Sequence, residues 1–273
     1  MSNNKPIGVF DSGLGGLTVV KELRKILPYE EIVYFGDTGR VPYGTKSRDT
    51  IIKYAVEDER FLISKDVKMV IAACGTVSSV ASHTGNSLPV PFINVVEPTA
   101  KAAVEATRNG KIGILGTSAT INSKSFEKEI SRFDPNIVTV SQACPLFVQL
   151  VESGWIEKDN EVAVAAAKRY LKPLVDAGVD TVILGCTHFP ILSTIIGDIV
   201  GDDVVLINSG KCAARNAAES LKNRNLLSSS NKCGSIRFYV SDKPDSFMQT
   251  ASVLLGSNIE DDIEFVDISS FGC

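Results

Sequence analysis

The segment Ile7-Gly8-Val9-Phe10-Asp11-Ser12-Gly13-Leu14-Gly15-Gly16 joins a short apolar run to a glycine-rich turn. Apolar residues then recur at helical spacing from Val19 to Leu27, so a strand, a turn and a helix are predicted in that order. The same alternation continues, and it predicts further strands at 31–35, 67–73, 111–115, 137–140, 180–184, 204–207 and 235–240. Such an order is typical of α/β proteins with mostly parallel sheets.

A weak internal repeat relates the two halves of the chain. Residues 6–12 align with residues 111–117, and the run Val70 to Cys74 aligns with Val182 to Cys186. Two pseudo-symmetric α/β domains are therefore expected, one formed by residues 1–97 plus 209–273 and the other by residues 98–208. Ligands of α/β folds bind at the carboxyl ends of the strands. Cys74 and Cys186 are thus predicted to face each other across an interdomain cleft that holds the active site.

The composition excludes several classes of protein. The chain is 44% apolar and 22% charged, which is typical of globular domains. Its net charge of -4 and pI near 5.4 argue against a nucleic-acid partner, which would require a basic face. No apolar run approaches the roughly 18 residues of a membrane span, and no signal peptide is recognisable at the N-terminus. We therefore expect no membrane association, a cytoplasmic protein and six reduced cysteines.

The two matched cysteines are the strongest candidates for chemistry. Each is predicted where a strand ends and a helix begins, and a helix N-terminus makes a thiol more acidic. Racemisation at a carbon needs two bases on opposite faces, which two facing thiols can supply. Three other interpretations stay open: inert buried thiols, a disulfide switch, and a zinc site that also uses Cys144 and His188. The absence of a C-x-x-C pair and the presence of only two histidines disfavour zinc.

The neighbours of the two thiols offer further candidates. Asp11 and His188 can act as proton-relay partners, or simply as a helix-capping carboxylate and a buried core histidine. The glycine-rich turn can present backbone N–H groups to a carboxylate or phosphate, although it lacks the spacing of a nucleotide-binding loop. Residues 39–46 nearly match a phosphate-binding loop, and we interpret them as a turn that carries Tyr43 and Gly44 into the cleft.

Several motifs together resemble the glutamate racemases of bacterial cell-wall synthesis. They are residues 8–16, 34–38, Pro42-Tyr43-Gly44, Ala73-Cys74, Cys144-Pro145-Leu146 and 185–190. The resemblance implies racemisation between L-glutamate and D-glutamate, the latter being used for peptidoglycan synthesis. It further implies no pyridoxal phosphate, no metal or other cofactor, glutamate as a small-molecule partner, and a homodimer. The alternatives are a racemase for aspartate or another amino acid, and a non-catalytic amino-acid binding protein.

The resemblance also assigns roles to individual residues. Cys74 would take the α-proton from the D-enantiomer and Cys186 from the L-enantiomer, with Asp11 and His188 as assisting catalytic residues. The substrate-binding set implied by the resemblance is Asp11, Ser12, Tyr43, Gly44, Gly75, Thr76, Thr120, Thr187 and His188, and Glu152 would support the histidine. Gly75 stands where this family usually has asparagine. Since glycine leaves a backbone N–H free for an anion, we expect Gly75→Asn to be tolerated and to change KM more than kcat.

Overall fold

The computed structural model of the protein describes residues 4–242, 251, 255 and 263–272. The remaining residues of the predicted first domain lie outside the described part. The strands are β1 (Ile7–Asp11), β2 (Ile32–Gly36), β3 (Met69–Ala72), β4 (Phe92–Asn94), β5 (Lys111–Gly116), β6 (Val138–Ala143), β7 (Thr181–Leu184), β8 (Val205–Asn208), β9 (Ile236–Val240) and β10 (Ile263–Phe265).

Helices alternate with these strands. They are α1 (Leu17–Ile26), α2 (Arg48–Ser64), α3 (Gly75–Val80), α4 (Val96–Ala106), α5 (Ser118–Ser123), α6 (Ser125–Phe133), α7 (Pro145–Glu152), α8 (Glu161–Ala177), α9 (Ser193–Val200) and α10 (Ser209–Asn223). Short 3-10 turns occur at Tyr43–Thr45, Ser82–Ser87, Phe189–Leu192 and Ile268–Phe271. The eight strands predicted from the sequence are all present, with ends that differ by no more than three residues.

The strands form two sheets, and every strand pairing in the described residues is parallel. One sheet has six strands in the order β10-β9-β2-β1-β3-β4, and the other has four in the order β6-β5-β7-β8. The predicted α/β class with parallel sheets is thereby confirmed. Two three-residue strands, β4 and β10, were not predicted as strands because runs that short carry almost no periodic signal. The division of the chain at residues 97 and 208 stays a prediction.

Helices cover both faces of each sheet, which explains why the strands are apolar without alternation. In β1, Ile7 and Val9 pack on one face with α1 and α10, whereas Phe10 packs on the other face with α2. In the four-stranded sheet, Val182 packs on the face covered by α7 and α8, while Ile183 packs against α4 and α6. With the sheet faces occupied by core, the carboxyl ends of the strands remain for a binding site.

Candidate active site

A cavity of about 210 Å³ lies where the carboxyl ends of the two sheets meet. Residues that follow β1, β2 and β3 line one side of it, and residues that follow β5, β6 and β7 line the other. The lining consists of Ser12, Val41, Pro42, Tyr43, Gly44, Thr45, Cys74, Gly75 and Thr76 on the first side, and Thr117, Ser118, Pro145, Val148, Gln149, Glu152, Cys186, Thr187 and His188 on the second. The structure thus brings both candidate thiols to one cavity, as the internal repeat predicted.

Two predicted site residues stand behind the cavity wall. Asp11 and Thr120 are buried, at 0% and 1% exposure, and neither is among the lining residues. Thr120 contacts the lining residue Thr117, with 3.0 Å between their hydroxyl oxygens. Asp11 likewise contacts a lining residue, because its Oδ1 lies 3.4 Å from the hydroxyl oxygen of Thr187.

Cys74 ends the turn after β3 and directly precedes α3. Its Sγ lies 3.6 Å from the hydroxyl oxygen of Ser12. Burial raises the pKa of the Cys74 thiol to about 12, and the negative charge of Asp11 adds to the shift, while the Val77 N–H and the Ser12 hydroxyl oppose it. The helix N-terminus was expected to make this thiol more acidic. Instead the cost of burying a thiolate outweighs the effect of a helix of only six residues.

Asp11 connects the glycine-rich turn to the opposite side of the cleft. Its Oδ2 accepts a hydrogen bond from the Gly13 N–H at 3.0 Å, and its Oδ1 accepts one from the Thr187 hydroxyl at 3.4 Å. The hydroxyl of Tyr34 donates to the Gly13 carbonyl at 2.7 Å and fixes the same turn. Complete burial raises the pKa of Asp11, although nearby His188 and these hydrogen bonds act in the opposite direction.

Cys186 has different surroundings from Cys74. A 3-10 turn at Phe189–Leu192 follows it, and the helix α9 begins only at Ser193. Its Sγ lies 3.7 Å from Nδ1 of His188, whose Nε2 lies 3.1 Å from Oε1 of Glu152. Burial alone would lower the pKa of His188, but the contacts with Cys186 and Glu152 and the charge of Asp11 together raise it to about 10. The contacts of its two ring nitrogens thus favour the protonated form of His188.

The sequence reasoning assigned no site role to several cavity residues, among them Thr117, Ser118 and Gln149. Thr117 Oγ1 lies 3.1 Å from Thr76 Oγ1, so this hydroxyl pair joins the two sides of the cleft. The internal repeat carried the necessary signal, because Thr117 aligns with Ser12. No comparable signal pointed to Gln149, which lies on an exposed part of α7.

Tyr43 faces the cavity with its ring, while its hydroxyl is held by carboxylates on the far side. The hydroxyl is hydrogen-bonded to Asp37 and lies 3.1 Å from Oδ2 of Asp58. Arg40 binds the same pair, with Nε 2.6 Å from Asp37 and an Nη 3.0 Å from Asp58. Burial and the two carboxylates raise the pKa of Tyr43 well above its usual value, so the phenol stays neutral. Tyr43 is thereby suited to form a rigid wall of the cavity.

The zinc and disulfide alternatives find no support in the observed side chains. Within residues 4–242, 251, 255 and 263–272, no group of three or more His, Cys, Asp or Glu side chains is arranged to hold a metal ion. Cys74, Cys144, Cys186, Cys212 and Cys233 are all free thiols.

Among the helices that the structure describes, none is long and apolar enough to cross a membrane.

Comparisons with known proteins agree with this arrangement. The model of the family described as Asp/Glu/Hydantoin racemase matches residues 17–217. A glutamate racemase of Geobacter metallireducens is 45% identical over 258 residues, which cover 94% of this chain and 95% of that protein. The crystal structure of the Francisella tularensis glutamate racemase in complex with D-glutamate superposes with a TM-score of 0.91 at 39% identity, covering 98% of this chain and 99% of that one. A glutamate racemase isoform from Bacillus anthracis gives a TM-score of 0.93 at 35% identity, with 97% and 98% covered.

Proposed function

The chain belongs to the Asp/Glu/hydantoin racemase family, and on that premise we propose that it interconverts L-glutamate and D-glutamate by proton transfer through Cys74 and Cys186. The observation that carries the proposal is the placement of both thiols, each after a matched strand, on opposite sides of one cavity. Glutamate is preferred to aspartate because the similar proteins that cover nearly the whole chain are named glutamate racemases.

The reaction requires one group to remove the proton on Cα and another to return a proton to the opposite face. For L-glutamate, the Cys186 sulfur takes the proton, and the electron pair of the broken C–H bond spreads into the adjacent carboxylate. The S–H of Cys74 then donates its proton to the other face and leaves Cys74 as thiolate. For D-glutamate, the same atoms act in the opposite order.

The surroundings of each thiol suit these roles. The imidazole of His188 lies 3.7 Å from the Cys186 sulfur, where it can serve as the proton-relay partner of this thiol. Cys74 is kept protonated by burial and by Asp11, as an acid for the L to D direction must be. In the reverse direction, the α-ammonium group of the substrate would offset the charge of Asp11 and favour the thiolate of Cys74.

The remaining predicted residues would hold and orient the substrate. Hydroxyl groups of Ser12, Thr76 and Thr187 line the cavity and can donate hydrogen bonds to carboxylates. Gly44 and Gly75 contribute backbone to the lining. Glu152 binds the far nitrogen of His188 and supports its protonated state. The absence of a cofactor, the homodimer and the supply of D-glutamate for peptidoglycan stay predictions from the family resemblance. The cytoplasmic location stays a prediction from the sequence.

The test is to incubate the purified protein with each enantiomer of glutamate and aspartate and to follow optical rotation. We expect racemisation of both glutamate enantiomers without any added cofactor, unchanged after dialysis against a chelator. Faster turnover of aspartate would support the first alternative function. Binding of glutamate without deuterium incorporation at Cα in D2O would support the second, a binding protein with inert thiols. The Cys74→Ser/Cys186→Ser double variant controls for contaminating racemases.

A further inference from the structure

Gly75 closely approaches the backbone on the other side of the cavity. A β-carbon placed on Gly75 would overlap the carbonyl oxygen of Gly185 and would stand 3.2 Å from the carbonyl carbon of that residue and 3.5 Å from Cα of Cys186. Gly75 directly follows Cys74, and Gly185 directly precedes Cys186. The contact therefore joins the backbone positions adjacent to the two thiols.

We propose that the contact between Gly75 and Gly185 sets the separation of the two thiols, and that Gly75 is a positioning residue for proton transfer. The inference rests on the proposed racemase function. A two-thiol mechanism needs both sulfurs within reach of one substrate Cα. The rate of proton transfer therefore depends on the distance between the two sides of the cleft. A side chain at residue 75 would act as a wedge between the two sides.

The backbone on both sides of this contact is held in place. The Gly185 N–H donates to the Leu115 carbonyl at 2.9 Å, and the preceding Leu184 carbonyl accepts a hydrogen bond from Ser209 at 2.9 Å. On the other side, the Ser78 hydroxyl donates to the Ala72 carbonyl at 3.0 Å and fixes the start of α3. Neither partner can retreat without breaking such bonds. The strain of a larger residue must therefore be relieved by moving the two sides apart.

Two other glycines approach the opposite side, but they meet side-chain atoms. A β-carbon on Gly44 would stand 2.8 Å from Cβ of Thr117, and one on Gly15 would overlap the Thr187 hydroxyl. Gly75 differs from both because the group that it meets, the carbonyl of Gly185, is part of the backbone. Gly75 also has no left-handed backbone angle, so its restriction is steric rather than conformational.

The size of the expected effect follows from the overlap. Because β-carbons are essentially never found within 3.0 Å of another heavy atom, relief of the overlap with the Gly185 carbonyl oxygen requires a displacement of about 1 Å. A misplacement of about 1 Å can lower a catalysed rate by about 100-fold. Our expectation from the sequence that Gly75→Asn is tolerated does not fit this geometry, because it considered only the N–H of Gly75 and not the carbonyl that faces it.

The experiment compares Gly75→Ala with Gly197→Ala, a matched control on α9. A β-carbon on Gly197 meets only Leu206, at 3.9 Å, and its backbone angle also accepts alanine. We expect Gly75→Ala to lower kcat for racemisation by about 100-fold with KM changed by less than about threefold. Gly197→Ala should retain full activity. Racemisation by the unmodified protein is measured in parallel, so that failure of the proposed function itself is seen separately.

A second measurement distinguishes thiol spacing from a general structural defect. Elimination of chloride from a β-chlorinated glutamate requires only one deprotonation, and therefore only one thiol. If the two sides of the cleft move apart, the substrate can stay bound close to that thiol. We expect Gly75→Ala to lose less than about tenfold in this elimination for at least one enantiomer. Equal losses in both reactions, or racemisation within about threefold of the unmodified protein, would overturn the proposal. Failure of both Gly75→Ala and Gly75→Ser to fold would also overturn it, because the contact would then serve folding.

Discussion

Cys74 and Cys186 occupy matched positions after β3 and β7, yet the groups around them differ in charge. Cys74 lies beside the carboxylate of Asp11, which helps to raise the pKa of the thiol to about 12. Cys186 lies 3.7 Å from His188, whose pKa is raised to about 10. The duplicated scaffold therefore places the two thiols in matched positions, whereas residues that differ between the two halves, such as Asp11 where the second half has Gly116, give them different surroundings. In the proposed mechanism these surroundings decide which thiol starts as acid and which as base.

The largest expected effect comes from removing either thiol. Cys74→Ser and Cys186→Ser should each lower racemisation by about 10²- to 10⁴-fold, the usual contribution of a positioned acid or base. With a β-chlorinated glutamate, Cys74→Ser should still eliminate chloride from the L-enantiomer and Cys186→Ser from the D-enantiomer. Initial rates with the two separated enantiomers provide the measurement. Equal loss for both enantiomers in both variants would contradict the two-base assignment.

A smaller loss of rate is expected when His188, the partner of Cys186, or Asp11, the partner of Cys74, is replaced. These variants directly test whether the two thiols differ because of their neighbours. His188→Gln should slow the deprotonation of the L-enantiomer by Cys186, and Asp11→Asn should alter the deprotonation of the D-enantiomer by Cys74. We expect changes of about 10- to 100-fold on the affected side. Both variants keep the size of the side chain nearly constant, so packing is disturbed little.

The reaction used for this comparison matters. Because the two enantiomers have equal free energy, kcat/KM for racemisation must fall equally in both directions in any variant. One-sided effects can therefore be seen only in single-deprotonation reactions, such as elimination. If His188→Gln and Asp11→Asn slow elimination from the same enantiomer, the two polar environments do not serve separate thiols and the comparison fails.

The sequence was sufficient for much of this organisation, and the reasons are physical. Strands buried on both faces, such as β1, β3 and β7, are continuous apolar runs, so they were recognised without a structure. The repeat relating Cys74 to Cys186 predicted a shared cavity because parallel strands present their carboxyl ends at one edge. Asp11 and Thr120 were predicted to bind substrate, and they stand behind the cavity wall. Their role in substrate binding stays a prediction.

Other features required the three-dimensional arrangement. The pKa of Cys74 depends on burial and on Asp11, which is 63 residues away in sequence, so local helix position gave the wrong direction. The overlap between a side chain at Gly75 and Gly185 joins residues 110 positions apart. Packing across the cleft does not change the spacing of apolar residues in the segments around Gly75 and Gly185. Interactions of this kind are therefore invisible to sequence patterns, however clear the strands are.

The smallest expected effect concerns the free energy of unfolding. Its dependence on pH distinguishes the surroundings of Cys186, which include His188, from those of Cys74. The pKa of His188 is raised from 6.5 to about 10 in the folded protein, so the unfolded chain loses this proton first as pH rises. The stabilisation is complete below pH 6.5 and disappears progressively up to about pH 10. For Cys74, raised from 9.0 to about 12, the corresponding loss falls between pH 9 and about pH 12.

Denaturant unfolding at a series of pH values measures both windows. His188→Gln should flatten the decline in unfolding free energy between pH 6.5 and 9, and Cys74→Ala should flatten it above pH 9, while exposed Cys233→Ser serves as the control. Glu152→Gln should move the end of the His188 window to lower pH, because it removes a hydrogen bond that raises the pKa of His188. A decline that survives unchanged in His188→Gln would mean that the imidazole is neutral in the folded protein. Cys186 would then lack the positive neighbour that distinguishes it from Cys74.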